Sequence, residues 1–238
     1  MEPWELQPAK DHSLPLNDRL RSLQRESGLI STGLHVTWWS FVRGYMKVWH
    51  GLKVIGREHI PARPPFVLVA NHSSHLDALV LASPMRWTVR DRVFPIAAGD
   101  VFFETPAVSA FAALCLNALP MWRKKCGRHA LKELRDRLVE EPCAYILFPE
   151  GTRSRDGSMA EFKTGIGMLV AETDVPVVPC YLHGCHAAFP PETKWPRRRP
   201  IELRVAPPLK FGEVGNDRAG WEHVAAKLEA AVRGLSPT

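Results

Sequence analysis

The chain's 238 residues are 45% hydrophobic and 24% charged, ordinary proportions for a globular protein with room for one well-buried domain. A formal charge of +6 favours an anionic partner: nucleic acid, an anionic membrane face or a phosphorylated substrate. Cys115, Cys126, Cys143, Cys180 and Cys185 are odd in number and contain no Cys-x-x-Cys pair, which argues against a disulfide framework and for a reducing compartment.

The opening residues show no basic-then-apolar signal pattern. To about residue 30 the chain is polar, with Leu16, Leu20 and Leu23 on one side of a short helix. From Gly33 to Leu52, Leu34, Trp38, Phe41, Val42, Tyr45, Trp49 and Leu52 recur at three- and four-residue steps, while His35, Ser40, Arg43, Lys47 and His50 fall largely elsewhere. This predicts an amphipathic helix, whose aromatic stripe suits either the domain's own core or the headgroup region of a bilayer. Residues 1–55 thus read as a polar tail and a membrane-proximal helix, and residues 56–238 as one domain.

After Gly56, short β-rich runs alternate with helical ones. Strands are predicted at Phe66 to Ala70, Val93 to Ala97, Ala144 to Phe148, Val175 to Leu182 and Ile201 to Val205. Pro176 and Pro179 mark the Val175 to Leu182 strand as an edge or the site of a bulge. Helices are predicted near Leu76 to Leu81 and over Ala107 to Leu119, Arg128 to Glu140, Thr164 to Glu172 (capped by Thr164) and Trp221 to Val232. The alternation implies an α/β fold, a mixed and largely parallel sheet flanked by helices, with the N-terminal amphipathic segment attached. The uncharged stretch from Thr105 to Trp122 is broken by Pro106, Ser109, Asn117 and Pro120, and falls short of the about 20 apolar residues a spanning helix needs.

Two segments carry chemistry, and both follow predicted strands, where such sheets bind ligands. In Asn71-His72-Ser73-Ser74-His75-Leu76-Asp77, Asp77 sits where the chain can fold back and hold one imidazole nitrogen of His72. The other nitrogen is then a general base for a hydroxyl. The competing reading is that Asn71, Ser73 and Ser74 cap a helix and His72 is merely solvated. No Gly-x-Ser-x-Gly elbow occurs, so the hydroxyl belongs to a substrate. In Phe148-Pro149-Glu150-Gly151-Thr152-Arg153, Gly151 permits close backbone approach, Thr152 offers a hydroxyl, and Arg153 offers a fork matched to phosphate oxygens. Glu150 is placed to orient Arg153 or hold a substrate hydroxyl, and Lys163 and Arg123 add positive charge. Cys180, His183, Cys185 and His186 match no standard zinc spacing, so no metal is expected.

His72-x4-Asp77 after Asn71, Phe148 to Arg153, and Val175-Pro176-Val177-Val178-Pro179 together resemble the glycerolipid acyltransferase family, which includes 1-acylglycerol-3-phosphate O-acyltransferases. The resemblance covers about Val54 to Leu209. It implies acyl transfer from a thioester, on coenzyme A or acyl carrier protein, to a lysophospholipid hydroxyl, with 1-acylglycerol-3-phosphate the first acceptor to consider. It implies no cofactor beyond that co-substrate. His72 and Asp77 would be catalytic; Arg123, Glu150, Gly151, Thr152, Arg153 and Lys163 would bind substrate. Pro179 falls in a block tied to acyl-donor binding or packing. The partners implied are a membrane surface, the two substrates and acyl carrier protein, with no nucleic acid, at the cytoplasmic side of a membrane as a peripheral or monotopic protein. Gly99 stands where many relatives carry lysine, which removes one cation from the expected phosphate pocket. A lysolipid with a larger headgroup is therefore the alternative acceptor, and a non-catalytic lipid-binding module the alternative function.

Overall fold

Five consecutive apolar residues, Phe66–Ala70, are all buried and form strand β2, which is what a strand covered on both faces requires. In the computed structural model, which describes residues 13–22, 29–98, 105–121 and 128–237, β2 lies in the middle of a seven-stranded sheet. The other strands are β1 (Lys53–Ile55), β3 (Val93–Ala98), β4 (Leu119–Met121), β5 (Ala144–Leu147), β6 (Val177–His183) and β7 (Glu202–Val205), and the order is β1-β7-β6-β2-β5-β3-β4. Every neighbouring pair is parallel except β6 with β7. The expected mixed, largely parallel α/β fold is present.

Side chains alternate across β2 and so divide the core into two layers. Phe66, Leu68 and Ala70 pack with Trp39, Val42 and Met46 of the Leu29–Val48 helix and with Val80 and Leu81 of the Asp77–Ala82 helix. Val67 and Val69 face the other way. They pack with Leu134 and Leu138 of the Arg128–Glu140 helix, Ile166 and Leu169 of the Gly165–Val170 helix, and Val224, Leu228 and Val232 of the Arg218–Arg233 helix. β1, which precedes the boundary drawn at residue 55, pairs with β7 in the same sheet.

Several local expectations are corrected. The predicted apolar stripe around the Leu29–Val48 helix divides: Val42 is buried, and Trp38, Tyr45 and Leu52 pack against the core, whereas Leu34, Phe41 and Trp49 do not. The buried side is His35, Trp39, Val42 and Met46, continued by His50, while Leu34, Phe41, Val48 and Trp49 are exposed. Each buried histidine has a partner distant in sequence. His35 Nδ1 is 3.1 Å from Asp91 Oδ1, and His50 Nδ1 is 2.9 Å from the Arg199 carbonyl. Such pairing makes polar burial affordable to the fold. The single helix expected over 107–119 is instead a helix at Pro106–Leu114 followed by β4. Between them Asn117 takes a positive φ of 54°, which asparagine tolerates better than most residues. Its amide donates to the carbonyls of Asp91 at 3.0 Å and Val93 at 3.2 Å, so the turn is pinned beside β3.

β6 is interior, not an edge, and the bulge is in its partner. Cys180 opposes Val205, but Val177 opposes Leu209. The segment following β7 thus carries one extra residue between these pairings. Pro179, which has no N–H to donate, lies opposite that irregularity, and its carbonyl accepts from Ala206 N at 2.9 Å. The Gly165–Val170 helix is shorter than expected, and Thr164 makes no side-chain cap hydrogen bond to it.

Candidate active site

Parallel pairing of β2 with β5 and β6 puts the carboxyl ends of three strands side by side. His72 follows the end of β2, and residues 148–153 follow β5 directly. The two segments are hydrogen-bonded to each other through the backbone of His72 itself. His72 N donates to Glu150 Oε1 at 2.7 Å, and the His72 carbonyl accepts from Ser154 N at 2.8 Å. Asn71 ties the same turn to β6, with its amide donating to the Leu182 carbonyl at 3.1 Å and its oxygen accepting from Leu182 N at 2.8 Å.

Asp77 closes the turn from the other side. Its side chain is fully buried, and Oδ2 accepts from Ser73 N at 2.7 Å and Ser74 N at 2.8 Å, with His72 Nδ1 at 2.9 Å. A carboxylate in this position can only accept, so Nδ1 carries the hydrogen and Nε2 keeps its lone pair. The intervals of three to five residues place those three donors around one oxygen. Ser74 Oγ accepts from Leu76 N at 3.1 Å at the start of the Asp77–Ala82 helix, so part of the competing capping reading holds, but His72 is bonded to Asp77 and not merely solvated. Cys185 lies buried beside Asp77; burial first, and then the Asp77 charge, hold its thiol well above the ordinary value.

The His72 imidazole is half-buried and stacks on Phe148, with centroids 4.1 Å apart and ring planes 13° apart. One edge is thus held by Asp77 and one face by an aromatic ring. Phe148 had no role in the sequence reading. A position between a strand and a charged loop signals a turn, and only the structure shows which ring it meets.

Glu150 is placed differently from expectation. Its carboxylate is buried and accepts from two backbone groups, His72 N and, at 3.0 Å, Ala160 N. Burial pushes its pKa up, and the two N–H donors oppose the shift. Glu150 is a clamp between loops. Arg153 is not among the hydrogen-bond partners of its oxygens.

Gly151, Thr152 and Lys163 are exposed, and Arg153 is half-buried. Arg153 Nη1 lies 2.8 Å from His75 Nε2. Burial first, and then the Arg153 charge, lower the pKa of His75, so His75 is a neutral neighbour to the guanidinium. Gly151 has a φ of +73°, and a Cβ there would sit 2.7 Å from Lys163 Nζ. The ammonium lies against the bare backbone of the loop. Arg123 and Gly99 lie outside the described residues. Gly151→Ala should displace Lys163 and cost about 1 kcal/mol or more through the left-handed backbone. Chemical denaturation reads the second effect.

Beside this loop is an apolar cavity of about 260 Å³. It is lined by Leu131, Leu134, Leu147, Phe148, Ile166 and Leu169, with Gly151 and Lys163 also on its wall. The cavity and the imidazole therefore share Phe148. The arrangement contains an oriented base, a basic loop and an apolar compartment.

The sequence model of the acyltransferase family matches residues 51–183, more than half of the chain and every described candidate residue above. The chain belongs to the acyltransferase family. Among similar acyltransferases, mouse 1-acyl-sn-glycerol-3-phosphate acyltransferase alpha is 29% identical over 161 residues, covering 66% of this chain and 54% of that protein. The 1-acyl-sn-glycerol-3-phosphate acyltransferase of Limnanthes douglasii is 28% identical over 158 residues, with 66% and 54% covered. The chain spans about half the length of these curated relatives. The fold is shared with the crystal structure of the 1-acyl-sn-glycerophosphate (LPA) acyltransferase PlsC from Thermotoga maritima, with a TM-score of 0.62 at 23% identity, covering 84% of this chain and 81% of that one.

Proposed function

We propose that this protein moves a fatty acyl group from an acyl thioester to the free hydroxyl of a lysophospholipid, with 1-acylglycerol-3-phosphate as the acceptor that the names of its relatives favour. The observation that carries the reading is the His72–Asp77 contact of 2.9 Å, which commits Nδ1 and leaves Nε2 on a half-exposed ring. Nε2 takes the proton of the acceptor hydroxyl as its oxygen attacks the thioester carbonyl. The C–S bond breaks, and the imidazolium returns the proton to the leaving thiolate. Asp77 steadies the transient cation. Arg153 and Lys163, with Arg123, are the cations for the acceptor phosphate, and the backbone at Gly151 and the hydroxyl of Thr152 complete that loop. Glu150 acts by holding the loops together.

The donor is acyl coenzyme A or acyl carrier protein, and the apolar cavity receives an acyl chain. Gly165→Leu tests this. Its Cβ would stand 3.8 Å from Leu131 Cδ1, an ordinary contact, so the added bulk narrows the cavity without forcing the backbone. The expected result is a fall of about tenfold or more in kcat/KM for the longest donors, with short donors spared. An unchanged chain-length profile rejects the cavity as the acyl site.

No helix among the described residues is long and apolar enough to cross a membrane. The exposed stripe of Phe41, Val48 and Trp49 supports a helix lying in the interface at the cytoplasmic face of a membrane. The reaction itself is tested by thiol release from acyl coenzyme A against a panel of lysolipids, with mass spectrometry of the products. Thiol release that does not depend on any lysolipid excludes the proposal.

A further inference from the structure

We infer that the segment from Phe189 to Pro200 is a docking arm for anionic lipid headgroups, holding the active-site rim against a negatively charged bilayer. The functional consequence rests on the acyl-transfer reading; the binding itself does not.

The arm carries Lys194, Trp195, Arg197, Arg198 and Arg199, all exposed. Glu192 is the acid among them. Among the described residues, none of the four cations is in an ion pair. Trp195 is 80% exposed, an unfavourable position in water for so large an apolar ring. A ring flanked by cations is the composition that a headgroup layer accommodates, with the indole at the acyl boundary and the guanidinium groups among phosphates.

The arm is firmly held. Arg197 N donates to the Ala188 carbonyl at 2.7 Å, and Thr193 N to the Pro190 carbonyl at 3.2 Å. The Arg199 carbonyl is bound by His50, at the end of the aromatic helix. The Arg198 guanidinium lies 6.0 Å from the Trp49 ring centroid. The arm is thus continuous with the exposed Val48 and Trp49, and together they form one surface of aromatic and basic groups. At its other end the arm touches the catalytic turn. Ser74 Oγ donates to the Phe189 carbonyl at 2.8 Å, and the Phe189 ring is 4.8 Å from that of His75. A bilayer bound at this surface lies beside the turn that positions His72, which offers a lysolipid a short lateral route.

An acidic carrier protein is the competing occupant of a basic surface. The apolar groups decide between them here. The surface joins Trp195 to the exposed face of a long helix, an extent that a planar bilayer covers at once.

The test is co-sedimentation of the full chain with vesicles of phosphatidylcholine alone or with phosphatidylglycerol. Each cation near an anionic leaflet strengthens binding by roughly fivefold, so R197S/R198S/R199S should lose roughly a hundredfold on phosphatidylglycerol vesicles. Binding to phosphatidylcholine alone should be unchanged, and R197K/R198K/R199K should bind as the parent does. Trp195→Ala should weaken binding to both vesicle types. Wild-type binding of the serine variant to anionic vesicles overturns the inference. So does an equal loss on both vesicle types, or a defect confined to turnover with acyl carrier protein substrates. His72→Ala should bind vesicles normally while failing to turn over, so loss of the catalytic reading and loss of the docking reading give different results.

Discussion

Replacing His72 with alanine should lower turnover by roughly 100- to 10,000-fold, the range that a positioned general base supplies, and leave the fold intact. The geometry separates the two effects. The backbone of His72 makes the bonds that join the loops, through N to Glu150 and through its carbonyl to Ser154, and alanine keeps both. The side chain contributes the Asp77 contact and the Phe148 stack. Thiol release and a thermal melt on the same sample measure the two quantities together. Asp77→Asn should be nearly as damaging to turnover. An amide can present its nitrogen to Nδ1, which favours the tautomer with the hydrogen on Nε2 and removes the base. Turnover at the parental rate in His72→Ala would remove the assigned base.

Glu150→Ala should destabilise the protein by about 2–6 kcal/mol, because two part-buried backbone donors lose their acceptor and each group left unpaired costs about 1–3 kcal/mol. Those donors are His72 N and Ala160 N. Activity should fall with stability, since the His72 turn is one of the two clamped segments. Glu150→Gln keeps one carbonyl oxygen and should lose about half as much. Urea unfolding of the three proteins checks the order. A raised acceptor KM with unaltered unfolding would restore the role expected from sequence, a carboxylate holding a substrate hydroxyl.

That reversal for Glu150 shows where reading a sequence stops. Regular elements were legible because their signals are local. Phe66–Ala70 is uniformly apolar, Arg128–Glu140 repeats leucines at helical spacing, and both were placed to the residue. The convergence of the two motifs was legible too, since adjacent parallel strands share an end. The rest depended on partners distant along the chain. His35 and His50 read as a polar face, yet Asp91 and Arg199 make them a buried one. Asn117 is one polar residue in an apolar run, and its turn is fixed by the carbonyls of Val93, the first residue of β3, and of Asp91 just before that strand. Glu150 beside Arg153 reads as substrate chemistry, and nothing local announces its burial or the two N–H donors, His72 and Ala160, that it braces.

The β2–β5 pairing also has a temporal consequence. Its register joins Phe66 to Ala144 and Val69 to Leu147, across a long intervening stretch of chain, and distant parallel pairing forms slowly. A nascent chain stalled before residue 144 lacks Glu150, Ser154 and Leu182, the partners that hold the His72 turn. On dilution from denaturant, enzyme activity should return with the slow phase that closes this pairing, well after helical signal has recovered.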